Sequence, residues 1–189
     1  MTSTDHQYFH DMYRADPDPW RFSTSEYEQR KYALTVAALP RLRYRRAFEP
    51  GCSIGVLSDL LANRCDQLLS TDIVPSALEL AVSRLCAKKN VTIGCYAIPD
   101  QWPEGSFDLV VLSEVAYYFD SSTLDRVVQC VLGSLDIGGH LVGVHWSGDT
   151  DYPLTAEQVH HQINGYSQFR RVARYAEDLF ILDVWEKDG

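Results

Sequence analysis

Apolar runs and amphipathic stretches alternate along most of the chain, and the alternation predicts strands and helices in turn. Residues 107–113, FDLVVLS, are nearly continuous in apolar side chains, as a parallel strand buried on both faces must be. Shorter runs of the same kind predict strands at residues 46–49, at 68–73, where Asp72 closes the run, at 91–98 and at 140–146. Between them, residues 54–64, 76–89 and 124–135 repeat apolar side chains at helical spacing, and Pro75 opens the second of these helices. Upstream, Ser25 followed three residues later by Glu28 reads as a capping box that starts a helix running to Pro40. Its Tyr27, Arg30, Lys31 and Leu34 fall at three-and-four spacing, which puts Arg30 on or beside the inward face. Gly138-Gly139 is expected to be a turn, and Thr155 caps a short helix. The last stretch, 167–187, reads as two strands joined at residues 176–178, an antiparallel hairpin.

Five β and α units followed by a hairpin predict an α/β, Rossmann-like fold. The expected sheet has seven strands, mostly parallel with one antiparallel strand near the C-terminus, and helices on both faces. At 189 residues, one domain spanning 1–189 is expected. Residues 1–40 form an N-terminal aromatic and helical arm covering a cleft. Tyr8, Phe9, Tyr13, Trp20 and Phe22 surround the loop Asp16-Pro17-Asp18-Pro19, where two prolines stop any helix. These aromatics either cover a core edge or form a lid.

In open sheets of this kind ligands lie at the carboxyl ends of the strands. The first such end is FEPGCSIG, residues 48–55, where Gly51 and Gly55 suit a tight turn approached closely by a ligand. Asp72, seventeen residues after Gly55, stands at the tip of the next strand, where a carboxylate can hold a ribose diol. A dinucleotide fingerprint needs a third glycine and a site for a pyrophosphate. Here the turn lacks that glycine and is led by an acid, Glu49, which repels a pyrophosphate and suits a cationic amino group. A ribose, an amino acid end and a sulfonium occur together in S-adenosylmethionine. On these residues the chain resembles the class I methyltransferases.

A net charge of −9 argues against nucleic acid, whose binding rests on neutralised phosphates. The basic run RLRYRR, residues 41–46, is read as a solvated helix end. No apolar run approaches the roughly 18 residues of a membrane span. The N-terminus lacks the cationic start and apolar core of a signal peptide. Five scattered cysteines without metal spacing read as reduced thiols of a cytoplasmic protein, and no metal is expected. Cys52, inside the turn, is read as a small residue fitting under a ligand. The expected partner is a small-molecule or oligosaccharide acceptor, and the protein is expected to be a monomer or weak dimer.

The fourth strand ends in SEVAYYF, so at least two of Glu114, Tyr117, Tyr118 and Phe119 must face the cleft. Aromatic faces beside a sulfonium are favourable by roughly 0.5–2 kcal/mol. Where the superfamily commonly places an Asp for adenine, this chain has Ala97, leaving the backbone of Ile98, packing by Ile98 and Trp102, and Asp100. Candidates for taking a proton from an acceptor are Glu114, His145 and His160, with Tyr117 accepting or orienting the amine; His145 is equally readable as a structural donor.

The arm ADPDPWRFSTSEYEQRKY, the turn GCSIG and the segment SEVAYYF together resemble the nodulation N-methyltransferase NodS family. The resemblance covers about residues 8–146. It implies methylation of the free amine of an amino sugar in a chitooligosaccharide-like acceptor or a similar small molecule. It also implies a cofactor site lined by Gly51, Gly55, Asp72, Ile98 and Glu114, with Trp20, Tyr27 and Arg30 from the arm. Glu49 and Ser113, at the first and fourth strand ends, complete the expected cofactor set. Small-molecule O-methylation, and a cofactor-binding subunit without its own acceptor site, are the alternatives.

Overall fold

In the computed structural model, which describes residues 2–189, the alternation read from the sequence becomes two units, Asp5–Ala97 and Ile98–Gly189 with residues 2–4. The first unit holds α1 (His6–Ala15), α2 (Glu26–Ala37), β1 (Tyr44–Pro50), α3 (Val56–Leu61), β2 (Cys65–Asp72), α4 (Pro75–Leu85) and β3 (Val91–Cys95). The second holds β4 (Phe107–Ser113), α5 (Ser121–Ser134), β5 (Leu135–Trp146), α6 (Ala156–Asn164), β6 (Phe169–Glu177) and β7 (Phe180–Lys187). The seven strands run in the order β3-β2-β1-β4-β5-β7-β6, and β7, antiparallel to both β5 and β6, is the reversed strand.

In the first unit, β2 pairs in parallel with β1 and with β3, so the chain leaves each strand at the same end of the sheet. α1 is capped by Asp5, whose side chain accepts from the Gln7 N–H, and it stops before Pro17. The aromatics that follow pack on the core rather than hang in solvent. Tyr13 joins Ile54, Val74 and Ala77 in one cluster, with Phe9, Trp20 and Phe22 against it. The buried stripe of α2 is Glu28, Lys31, Tyr32 and Thr35. Arg30, expected on or beside the inward face, is exposed and lies beside it, one position before the buried Lys31. Ser25 caps α2 by accepting from the Glu28 N–H, while the Glu28 carboxylate is drawn to the buried Lys31 ammonium at 2.9 Å.

In the second unit every residue of β4 is buried. The Gly138-Gly139 turn is replaced by an irregularity inside β5, where the pairing with β4 shifts between Phe107 and Leu109 and Gly138 takes φ +72°. Thr155 and Gln158 make a complete capping box for α6. Its buried residues Ala156, Val159, His160 and Ile163 recur at helical spacing. The β6–β7 connection is two residues long, Asp178-Leu179, as the hairpin reading requires.

Candidate functional site

The turn after β1 is built on backbone conformations that side chains disfavour. Gly51 and Gly55 lie at φ +76° and +77°, and Ser53 between them at φ +52°. The Cys52 N–H bonds to Thr71 O at 2.9 Å and the Gly55 N–H to Cys52 O at 2.9 Å. A Cβ on Gly55 would meet Leu85 Cδ1 at 3.0 Å and Ala81 Cβ at 3.2 Å, so glycine is what lets α4 approach the turn.

Asp72 closes β2 with a buried carboxylate. Its Oδ2 accepts from the Ser53 N–H at 2.9 Å and its Oδ1 from the Val74 N–H at 3.0 Å. Burial raises its pKa from the ordinary range, against the pull of those N–H groups and of His10. Tyr13 reaches the same place from α1, its hydroxyl hydrogen-bonded to Ser53 Oγ. Burial, with the Asp72 charge nearby, pushes the Tyr13 phenol above its usual range. Trp20 stacks on Phe22 with ring centroids 5.6 Å apart and meets Tyr13 edge-on.

Glu49 has a different role from the one its position suggests. Its Oε2 accepts from the Ser58 hydroxyl at 2.6 Å and the Ser70 hydroxyl at 2.8 Å, and it is almost fully buried. Burial lifts its pKa to about 7 despite both serines. The carboxylate ties β1, α3 and β2 together. Cys52 is buried too, and burial beside Asp72 and Glu49 pushes its thiol well above the ordinary range, which suits a packing residue rather than a nucleophile.

In the second unit, β4 ends at the buried Ser113 and the chain turns sharply through Glu114, which has φ +54°. Three consecutive residues of β5 hold this turn. Val144 O accepts the Glu114 N–H at 2.8 Å, His145 Nε2 accepts the Ala116 N–H at 3.2 Å, and the Trp146 N–H donates to Glu114 Oε2 at 3.1 Å. The Tyr117 hydroxyl donates to the same carboxylate oxygen, and burial followed by the Glu114 charge pushes the Tyr117 phenol well above its usual range. Tyr117 stacks on Tyr152 at 5.1 Å and meets Tyr118 and His145 edge-on.

Of the remaining predicted residues, half-buried Ile98 precedes the cis Pro99. Asp100 pairs with Arg126 on the surface, and Trp102 Nε1 donates to Ser134 Oγ at 3.0 Å. Tyr27 lies under the Lys31 ammonium, 4.9 Å from its ring centroid. His145 is fully buried with both ring nitrogens engaged. It is therefore not free to take a proton from an acceptor, and the reading of it as a base gives way to that of a structural partner.

The sequence model of Nodulation protein S (NodS) matches residues 3–142 of this chain. The chain belongs to the NodS family. Over 141 residues, 70% of the chain, it is 30% identical to Nodulation protein S of Rhizobium tropici. It spans 59% of that relative's length, and 64% of the Sinorhizobium fredii relative. A solved structure of a methyltransferase candidate from Pseudomonas syringae is 42% identical, covering 86% of this chain and 100% of that one, at a TM-score of 0.77. The N-methyltransferase NodS of Bradyrhizobium japonicum WM9, solved with S-adenosyl-L-homocysteine, shares the fold at a TM-score of 0.86, with 22% identity over 97% of this chain and 98% of that one.

A ribose diol needs a carboxylate at a strand tip, and Asp72 is one whose two oxygens are held by backbone N–H groups. Ile73 and Val74, next in sequence, supply apolar surface. Tyr13, Ser53 and Tyr152 escaped the sequence reading. In the sequence Tyr13 is one aromatic among several, and Tyr152 falls between the predicted elements. A serine between two turn glycines was the available signal for Ser53.

Proposed function

We propose that this NodS-family chain is an S-adenosylmethionine-dependent N-methyltransferase, acting on the free amine of an amino sugar of the chitooligosaccharide kind or of a similar small molecule. The observation that carries the reading is the Glu114 carboxylate, aimed by a positive-φ turn and held by the Tyr117 hydroxyl and the Trp146 N–H. A carboxylate fixed in this way can also accept a hydrogen bond from an amine.

When bound, S-adenosylmethionine supplies an electrophilic methyl group on a sulfonium. Asp72 would accept the ribose hydroxyls, with Gly51 and Gly55 letting the backbone come close and Glu49 holding the frame beneath. Trp20 and Arg30 of the arm, and Ser113, Glu114 and Ile98 of the second unit, complete the proposed cofactor set. Residues 1–40 are proposed as its cover, and residues 1–189 as one catalytic domain. Glu114 accepts a hydrogen bond from the acceptor amine and draws off its proton, a contribution of roughly 10²–10⁴ in rate. Tyr117 orients both. Fixing the amine in line with the methyl carbon supplies up to roughly 7–11 kcal/mol. No helix among the described residues is long and apolar enough to cross a membrane. The proposed setting is the cytoplasm.

The test has two arms. S-adenosylhomocysteine at about 100 times its Kd should raise stability by about 2.7 kcal/mol, and NAD should not. Glucosamine oligomers with one free amine should be methylated and their fully N-acetylated forms should not. Equal labelling of both would overturn the amine reading, and a fold stabilised by NAD alone would overturn the cofactor.

A further inference from the structure

Resting on that reading, we infer that Asp183, His160 and His145 form a buried positioning chain that aims the Ala116 N–H and so sets the turn carrying Glu114. The chain is continuous. His145 Nδ1 lies 3.0 Å from His160 Nε2, and His160 Nδ1 lies 2.8 Å from Asp183 Oδ2. His145 and Asp183 have no exposed surface and His160 has 2%.

The direction of every bond follows from one end. A backbone N–H can only donate, so His145 Nε2, which meets the Ala116 N–H, carries no proton. The proton of His145 is then on Nδ1 and is given to His160 Nε2. That leaves the His160 proton on Nδ1, where the Asp183 carboxylate accepts it. Each link fixes the tautomer of the next. Arg174, at 3.1 Å, and Arg171, at 3.7 Å, set positive charge against Asp183 from β6.

The surrounding packing is shaped for this chain. Gly143 and His145 share a face of β5, and Asp183 and Trp185 share a face of β7; Gly143 stands opposite Asp183 in the register. A Cβ on Gly143 would meet Trp185 Cζ3 at 3.0 Å and His160 Cε1 at 3.4 Å. Glycine leaves room for the His160 imidazole to pack against β5. At the other end, the His145 link is one of three that β5 makes to the turn, between those of Val144 and Trp146. Loss of it loosens the turn just after Glu114, leaving the Val144 and Trp146 links to hold it. His145 is a positioning residue, not the base.

His145→Leu removes the acceptor, whereas the side-chain amide oxygen in His145→Gln can still take the Ala116 N–H. Misplacing a reacting group costs on the order of 10² in rate. H145L should therefore lower kcat for the amine by about that factor, and H145Q should restore most of it. Nitrogen NMR of the wild-type protein should show His145 and His160 both protonated on Nδ1. Hydrogen exchange at the Ala116 amide should be slow in wild type and H145Q and fast in H145L. A proton on His145 Nε2, an unchanged Ala116 exchange rate in H145L, or H145Q as inactive as H145L would overturn the inference. The tautomer and exchange measurements decide it without turnover. A wild-type protein inactive on every amine, with these two as expected, would refute only the methyltransferase reading.

Discussion

Glu49 Oε2 accepts the Ser58 hydroxyl at 2.6 Å, joining the end of β1 to the first turn of α3 beneath the glycine turn. Burial raises the Glu49 pKa from 4.5 to about 7, so the folded state binds this proton more tightly than the unfolded chain. Its stabilising contribution is complete below about pH 4.5 and is lost as pH rises through about 7, at a cost on the order of 3 kcal/mol. Glu49→Gln should be more stable than wild type at pH 8 by up to that amount and equal to it below pH 4.5. Urea titrations at stepped pH read the difference, and a difference that does not change with pH would contradict it.

Tyr13→Phe should lower stability by about 1–2 kcal/mol, the cost of leaving a buried serine hydroxyl without its partner. Hydrogen exchange in α1 should quicken along with it, since the Tyr13–Ser53 bond joins the helix to the turn.

Gly55→Ala puts a side chain at φ +77° and against Ala81, whose Cα is 3.3 Å from the new Cβ and cannot swing aside. A cost of about 2 kcal/mol follows from strain alone. Thermal melting should show a Tm lower by about 4–8 °C.

Asp72→Ala should weaken S-adenosylhomocysteine binding by roughly 10–100-fold, the worth of hydrogen bonds to a charged group. It also leaves the Ser53 and Val74 N–H groups without their acceptor. Calorimetry with the ligand, and melting without it, separate the two effects.

Much of this was legible where one local rule decides. Seven apolar-rich residues in FDLVVLS announced a central strand, and Thr155 announced the start of α6, because each depends on near neighbours alone. The positions of Gly51, Gly55 and Asp72 were legible as turn and strand tip. What failed depended on partners far away in sequence. Glu49 looks like a ligand contact until Ser58 and Ser70 are brought to it. His145 looks like a base until α6 and β7 supply His160 and Asp183. An acid inside the apolar run FILDVW was the visible trace of that chain. The Gly138-Gly139 pair reads as a turn in isolation, and in the fold it falls inside β5 where the register against β4 slips between Leu135 and His140. Counting from Tyr27 puts Arg30 on or beside the buried face, and only the packing of Lys31 decides that it is beside it.

The outermost strand, β6, carries Arg170, Arg171 and Arg174, and these reach back to Glu186 and Asp183 on β7. A second copy adding its own strand along that border would have to crowd three guanidinium groups against its own three. Repulsion of that kind opposes edge-to-edge pairing, and it fades as added salt shortens the reach of charge.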